Sequence, residues 1–182
     1  MIKKPDLQTI KDMDISRLFP LANDNSDNRH ILQMEAGDQH YKLLAWISMQ
    51  FDNILITEIG TLGGIGTIAL SFNPKNQIVS FDIRKYNWGN RTPQNAEKKL
   101  IYEGYMDEVM KSTVIFYDAA HQGEEEFRFL KELFERGWKG MIIWDDIHLN
   151  QEMRDFWNGI LAPKEDWTSL GHKTGTGVMF LK

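Results

Sequence analysis

The chain has 182 residues, 42% hydrophobic and 26% charged, which is enough apolar material for a core that folds without covalent staples. It contains no cysteine, so disulfides, a thiolate nucleophile and a thiolate-held metal are excluded, and any metal must be taken by oxygen or imidazole ligands. A formal charge of −5 argues against a nucleic-acid partner, which needs a basic face, and no apolar run reaches signal-peptide or membrane-span length, so a soluble, cytoplasmic protein is expected.

In chain order, a polar lead containing NDNSDN is followed by a helix over residues 39–49, whose Leu43, Leu44, Ile47 and Met49 fall mainly on one side. NILITEIG then reads as a buried strand, the glycine stretch behind it as a loop, GTIALSF as the helix it opens and IVSFDI as the next strand. After a turn-rich loop, YNWGNRTPQN, come a weaker strand at KKLIYEG, a short helix MDEVM and a strong strand STVIFYDA. GEEEFRFLKELFERG predicts a helix ended by Gly137, with Phe127, Leu130, Leu133 and Phe134 at core spacing and the three glutamates solvated. KGMIIWDDI is another buried strand and QEMRDFWNGIL another helix, and WTSL and GVMFL read as two final short strands. This alternation implies an open, mostly parallel α/β sheet. The expected organisation is one domain over 1–182, with a helical cap over 1–50 and the sheet over 54–182.

Ligands of such sheets sit beyond the carboxyl ends of the strands, so the acids there matter: Glu58, Asp82, Asp118, Asp145 and Asp146. EIGTLGGIGT, residues 58–67, runs from strand through glycines into a helix, which lets backbone N–H groups approach a nucleotide. Asp82, at the end of the next strand, is placed to accept ribose hydroxyls. The bland alternative is that the glycines only permit tight packing and that Asp82 caps a turn. The spacing Gly60-x-x-x-Gly64-Ile65-Gly66 imitates short-chain dehydrogenases, but none of Tyr41, Tyr86, Tyr102, Tyr105 or Tyr117 has a lysine four residues later to activate it. Glu58 would also repel a pyrophosphate, whereas it can accept from an ammonium group. A cofactor with an amino group and no phosphate fits better.

From about residue 33 to 181 the sequence resembles the class I S-adenosylmethionine-dependent methyltransferases, in particular the small-molecule O-methyltransferases of the catechol O-methyltransferase type, and the resemblance implies a Rossmann-like α/β fold: a mostly parallel seven-stranded sheet with helices on both faces and an antiparallel last strand. The resemblance implies that Glu58, Gly60, Thr61, Leu62, Gly64, Gly66 and Thr67, in EIGTLGGIGT, wrap the methionine end of the cofactor. It implies that Met34 and Ala36, in MEAGDQHYKLL, touch it too, that Asp82 and Ile83 take its ribose and adenine, and that Tyr105 and Met106, in GYMD, begin the adenine-edge loop.

Adjacent parallel strands bring Asp118, Asp145 and Asp146 within reach of one another, and three uncompensated carboxylates repel; a Mg²⁺-like ion resolves this. The alternative is that Asp118 contacts cofactor or acceptor while Asp145 and Asp146 cap the following helix, with no metal. In the resembling family an acid at 118, an acid at 145 and an asparagine at 146 hold Mg²⁺, which lowers the pKa of the acceptor hydroxyl; here the asparagine is an aspartate. His121 stands where the catechol enzymes carry a lysine base, and an imidazole suits that task at neutral pH. It could equally be a histidine at a helix start that bonds a neighbour. His148 reads as a further ligand or a solvated loop residue, and Trp88 as an acceptor cover or a loop anchor. The catechol clamp, a glutamate before the last strand, is absent from GHKTGTG, so catechol itself does not fit. The expectation is metal-assisted methylation of a small-molecule hydroxyl. Its rivals are a metal-free N- or O-methyltransferase in which Asp118 and His121 act alone, and a non-catalytic nucleotide-binding module.

Overall fold

The computed structural model describes residues 2–22, 32, 39–85 and 92–182. Its strands are β1 (Leu55–Ile59), β2 (Gln77–Asp82), β3 (Ala96–Leu100), β4 (Val114–Tyr117), β5 (Gly140–Asp145), β6 (Lys164–Asp166) and β7 (Thr176–Leu181). Its helices are α1 (Leu7–Lys11), α2 (Phe19–Ala22), α3 (His40–Met49), α4 (Ile65–Leu70), α5 (Tyr105–Val109), α6 (Glu124–Glu135) and α7 (Gln151–Gly159), with single 3-10 turns at Ser16–Leu18 and Thr168–Leu170. The strands form one seven-stranded sheet in the order β3-β2-β1-β4-β5-β7-β6. Neighbours from β3 to β5 run parallel, and β7 is antiparallel to both β5 and β6. The order reverses between β1 and β4, so the loops after these two strands diverge to opposite faces and leave a crevice at their carboxyl ends.

The central strands are apolar on both sides because both faces are covered, as β4 shows. Ile115 and Tyr117 join Ile142 and Trp144 under α5, α6 and α7, whereas Val114 and Phe116 join Met141 and Ile143 under α1, α3 and α4. The edge strand β3 is AEKKL, half-exposed and charged, which discourages pairing with another sheet. Ile15, Leu18 and Ala22 of the N-terminal arm pack on Ala45, Ile65 and Ile68, so the arm covers the start of α4.

Three local expectations are corrected. WTSL is not a strand: Thr168–Leu170 is a 3-10 turn, and the strand pairing with β7 lies just ahead of it at Lys164–Asp166. On α6 the buried stripe is Glu126, Phe129, Leu130 and Leu133, while Phe127 and Phe134 are 58% and 53% exposed, so the helix is turned about one residue from the apolar spacing and Glu126 is buried rather than solvated. Met49, at the end of α3, is exposed instead of joining Leu43, Leu44 and Ile47 in the core.

Candidate active site

The loop after β1 is tied to its neighbours on both sides. Gly60 N–H donates to the Phe81 carbonyl at 2.8 Å, and Asp118 N–H donates to the Ile59 carbonyl at 2.8 Å. Gly60 has φ +95°, and a Cβ there would lie 1.8 Å from the Asp118 carbonyl oxygen, so only glycine lets the loops after β1 and β4 touch. Asp82 fastens the same loop from β2: its Oδ2 accepts from the N–H groups of Thr61 at 2.9 Å and Leu62 at 2.8 Å, and its Oδ1 accepts from Arg84 N–H at 3.1 Å.

Glu58 lies beneath this loop and not in the cavity wall. It is buried, and its Oε2 accepts from the hydroxyls of Thr67 and Ser80, both at 2.5 Å. Burial pushes its carboxyl up to about 7, although the two hydroxyls and the Lys98 ammonium pull the other way. A Cβ at Gly66 would come 2.1 Å from Glu58 Oε1, so this glycine makes room for the carboxylate. Thr61, also buried, joins the network through Ser80, oxygen to oxygen at 2.6 Å. Gly64 begins α4 at φ +82°, where a Cβ would meet the Lys98 Nζ at 2.2 Å. The glycine loop thus rests on a buried polar floor.

Above it opens a cavity of about 640 Å³. Gly60, Leu62, Asp82, Ile83, Tyr105, Asp118 and His121 all line it, and Ala119, Ala120, Gln122 and Glu125 complete the far wall. Ile83 is 73% exposed at the rim. Met106 turns away from the wall into the core against Phe81 and Val109. Met34 and Ala36 lie outside the described residues, as does Trp88.

Asp118 ends β4, and Asp145 and Asp146 end β5, with two histidines set among them. His121 Nε2 is 3.5 Å from Asp118 Oδ1, and its Nδ1 is 3.6 Å from Asp146 Oδ2. His172, in the connection to β7, sets its Nδ1 2.8 Å from Asp146 Oδ1 and 3.3 Å from Asp145 Oδ2. Thr174 Oγ1 donates to Asp146 Oδ1 and lies 2.9 Å from the same imidazole nitrogen. The acids therefore divide into two groups with metal-ligand spacing, Asp118 with His121 and Asp146, and Asp145 with Asp146 and His172.

Burial raises the Asp118 carboxyl well above the usual carboxylate range, helped by Asp145, Glu58 and Asp146 and opposed by His172. Burial works against charge on His172 and on Asp146, but it is outweighed: Asp145 and then Asp146 hold the His172 imidazolium, pushing it up to about 10, and His172 and Thr174 hold the Asp146 carboxyl below the ordinary carboxylate value. Behind them the buried His40 is pushed down by desolvation; its Nδ1 faces Asp145 Oδ1 at 3.8 Å, and neither atom has a hydrogen-bond partner among the described residues. His148 instead meets Asp166 at the surface, 2.8 Å away.

The backbone here is held in costly conformations. Leu62, Ala120, His121 and Asp146 all have φ between +41° and +60°, and such strain persists where surrounding contacts over-determine it. For His121 those contacts are visible: its N–H donates to the buried Glu126 Oε1 at 2.9 Å, and its carbonyl accepts from Asn150 Nδ2 at 2.7 Å. Asn150 also caps α7, accepting from Met153 N–H at 2.8 Å. Gly123, between these anchors, has φ +75° and would drive a Cβ to 2.6 Å from the Glu152 carbonyl oxygen.

His172, His40, Glu126 and Asn150 escaped the sequence reading. The glycine-rich connection GHKTGTG has no local pattern that marks its imidazole as functional, and no spacing ties His172 to the paired aspartates. Asn150 did carry a signal, as an N-cap residue directly ahead of QEMRDFW.

No protein-family model matches the chain, and a search of the curated proteins finds no match. Solved structures do match. One is the O-methyltransferase TomG from Streptomyces achromogenes in complex with SAM, 14% identical with a TM-score of 0.61 and 100% of each chain covered. Another is an SAH-bound methyltransferase from Podospora anserina, 15% identical at TM-score 0.60, covering 92% of this chain and 87% of that one. A putative O-methyltransferase from Klebsiella pneumoniae is 18% identical at TM-score 0.56, with 91% of this chain and 87% of its own covered. At such identities the likeness shows the fold, which is the Rossmann-like methyltransferase fold.

Proposed function

We propose that the chain is an S-adenosylmethionine-dependent methyltransferase acting on a small-molecule hydroxyl with the help of a divalent cation, Mg²⁺ in the resembling family. One observation supports this above the rest: the glycine loop, Asp82, Asp118 and His121 open onto a single cavity of about 640 Å³, within the range of small-ligand sites. S-adenosylmethionine would supply a methyl group already made electrophilic by its sulfonium. The loop from Gly60 to Leu62, braced by Asp82, would hold it, with Ile83 and Tyr105 at the far rim.

The acids suit a cation, since Asp145 is buried with one carboxylate oxygen unpartnered among the described residues. Asp118, Asp145 and Asp146 are the groups offered to the ion, which would lower the pKa of the acceptor hydroxyl. His121, its ring between Asp118 and Asp146, would take the hydroxyl proton, and the acidic pair would stabilise the imidazolium that results. With S-adenosylmethionine bound, the acceptor oxygen would bond to the methyl carbon as the carbon–sulfur bond broke and its electron pair passed to sulfur. Alignment of the two reactants carries much of the acceleration.

A second reading, a metal-free methyltransferase on N or O, is favoured by His172, whose Nδ1 already contacts the Asp145 and Asp146 carboxylates. The test is to titrate S-adenosylmethionine and nicotinamide cofactors calorimetrically and to assay S-adenosylhomocysteine release over a panel of hydroxyl acceptors, with Mg²⁺ or chelator and in Asp145→Ala. Saturable binding of S-adenosylmethionine alone and ion-dependent turnover are expected. Turnover untouched by chelator and by Asp145→Ala refutes the metal; binding without product across the panel favours a non-catalytic module.

A further inference from the structure

The two groups of potential ligands are not equivalent. In the group of Asp118, His121 and Asp146, the imidazole approaches one carboxylate with Nε2 at 3.5 Å and the other with Nδ1 at 3.6 Å, so its two close approaches use different nitrogens. In the group of Asp145, Asp146 and His172, a single nitrogen, Nδ1, faces both carboxylates. Donors about 2.1 Å from a common ion stand about 3.0 Å apart along an octahedral edge and about 3.4 Å apart along a tetrahedral one. The observed spacings of 2.8 and 3.3 Å are close to these edges. The Nδ1 atom that now donates to the carboxylates is the atom an ion would use. A separate feature also calls for positive charge: Asp145 has a side chain only 4% exposed, yet among the described residues its Oδ1, which faces His40 Nδ1 at 3.8 Å, finds no hydrogen-bond partner.

We propose that Asp145, Asp146 and His172 together hold the ion, and that this mixed oxygen and nitrogen set selects a first-row transition-metal dication, of the Mn²⁺ to Zn²⁺ kind, over Mg²⁺. The inference rests on the metal-assisted reading and specifies its ligands. Mg²⁺ prefers oxygen ligands in a near-ideal octahedron and keeps its water, whereas imidazole favours the transition ions. His172 thereby becomes a ligand, and Asp118 is left to face the cofactor cavity it lines.

The experiment uses the full chain, stripped with chelator, without cofactor or acceptor. Mg²⁺, Mn²⁺ and Zn²⁺ are titrated separately by calorimetry, and the Mn²⁺ complex is examined by electron spin-echo spectroscopy for a directly bound nitrogen. Binding of Mn²⁺ and Zn²⁺ about tenfold or more tighter than Mg²⁺ is expected, together with a nitrogen signal. His172→Gln should weaken Mn²⁺ and Zn²⁺ by about tenfold or more, leave Mg²⁺ within about twofold and abolish the nitrogen signal. His172→Asn serves in its place if that variant fails to fold, and His121→Gln should keep both preference and signal. Equal affinity for all three ions, an unchanged preference in the His172 variants, or loss of the signal in His121→Gln overturns the assignment. Oxygen-only binding of Mg²⁺ overturns this inference alone; no binding of any ion overturns metal assistance as well, while S-adenosylmethionine titration tests the methyltransferase reading separately.

Discussion

Gly60→Ala tests whether the cofactor loop and the acidic edge are one mechanical unit. The added methyl would lie 1.8 Å from the Asp118 carbonyl oxygen and 2.6 Å from its carbonyl carbon. Alanine at φ +95° costs on the order of 1–2 kcal/mol for the backbone alone. Relieving the overlap requires the β1 loop and the end of β4 to part by roughly 1 Å or more. That movement strains the bonds from Gly60 N–H to Phe81 and from Asp118 N–H to Ile59, each worth about 1 kcal/mol. The total is about 3–5 kcal/mol, which for a chain of this length lowers the Tm by roughly 10 °C. Gly63→Ala is the control on the same loop, since a Cβ there meets nothing within 4 Å among the described residues; a change within about 0.5 kcal/mol is expected. Urea denaturation and calorimetry measure both, and titration with S-adenosylmethionine should show affinity lost in Gly60→Ala and kept in Gly63→Ala. A Gly60→Ala protein as stable as its parent, or two variants equally damaged, would refute the reasoning.

Glu58 gives a pH signature. Its folded pKa of about 7 lies above its ordinary 4.5, so the native state holds a proton that the unfolded chain has released. Stability from this group is therefore complete below about pH 4.5 and is lost as pH rises through about 7, by at most roughly 3 kcal/mol. Glu58→Gln removes that loss, so the variant should gain on its parent between pH 5 and about 8 in urea melts; parallel pH profiles would count against the buried carboxyl. Asn150→Ala removes the α7 cap and should cost about 1–2 kcal/mol in the same assay. Asn150→Asp keeps the cap but loses the Nδ2 donor to the His121 carbonyl, so near-parental stability with reduced kcat is expected; unchanged turnover would show that this anchor does not position His121.

The order of elements was legible because buried parallel strands and the helices between them have distinct apolar patterns, and because glycines mark the turn after β1. The face that a helix turns inward was less so. On α6 two stripes compete, the apolar one through Phe127 and Phe134 and the observed one through Glu126 and Phe129. Hydrophobic spacing favours the first, since no pattern rule buries a glutamate. The structure adopts the second, and Glu126 Oε1 takes the His121 N–H. That bond connects two segments after the fold has formed, so local sequence carries no trace of it.

His172 shows the same limit at the level of topology. The antiparallel last strand is implied by the family resemblance, but its register is not, and the register decides what lies beside the paired aspartates. Asp145 pairs with Thr176, so the residues just ahead of β7 are delivered to the carboxyl end of β5. Gly171 makes the approach possible, since a Cβ there would fall 2.3 Å from Thr176 Oγ1, and Thr176 Oγ1 in turn accepts from His172 N–H at 2.8 Å. A pairing slipped by one residue would turn alternate side chains of β7 to the opposite face and offer Asp145 different neighbours. The composition of the candidate ion site is thus fixed by strand register as much as by the acids that end the strands.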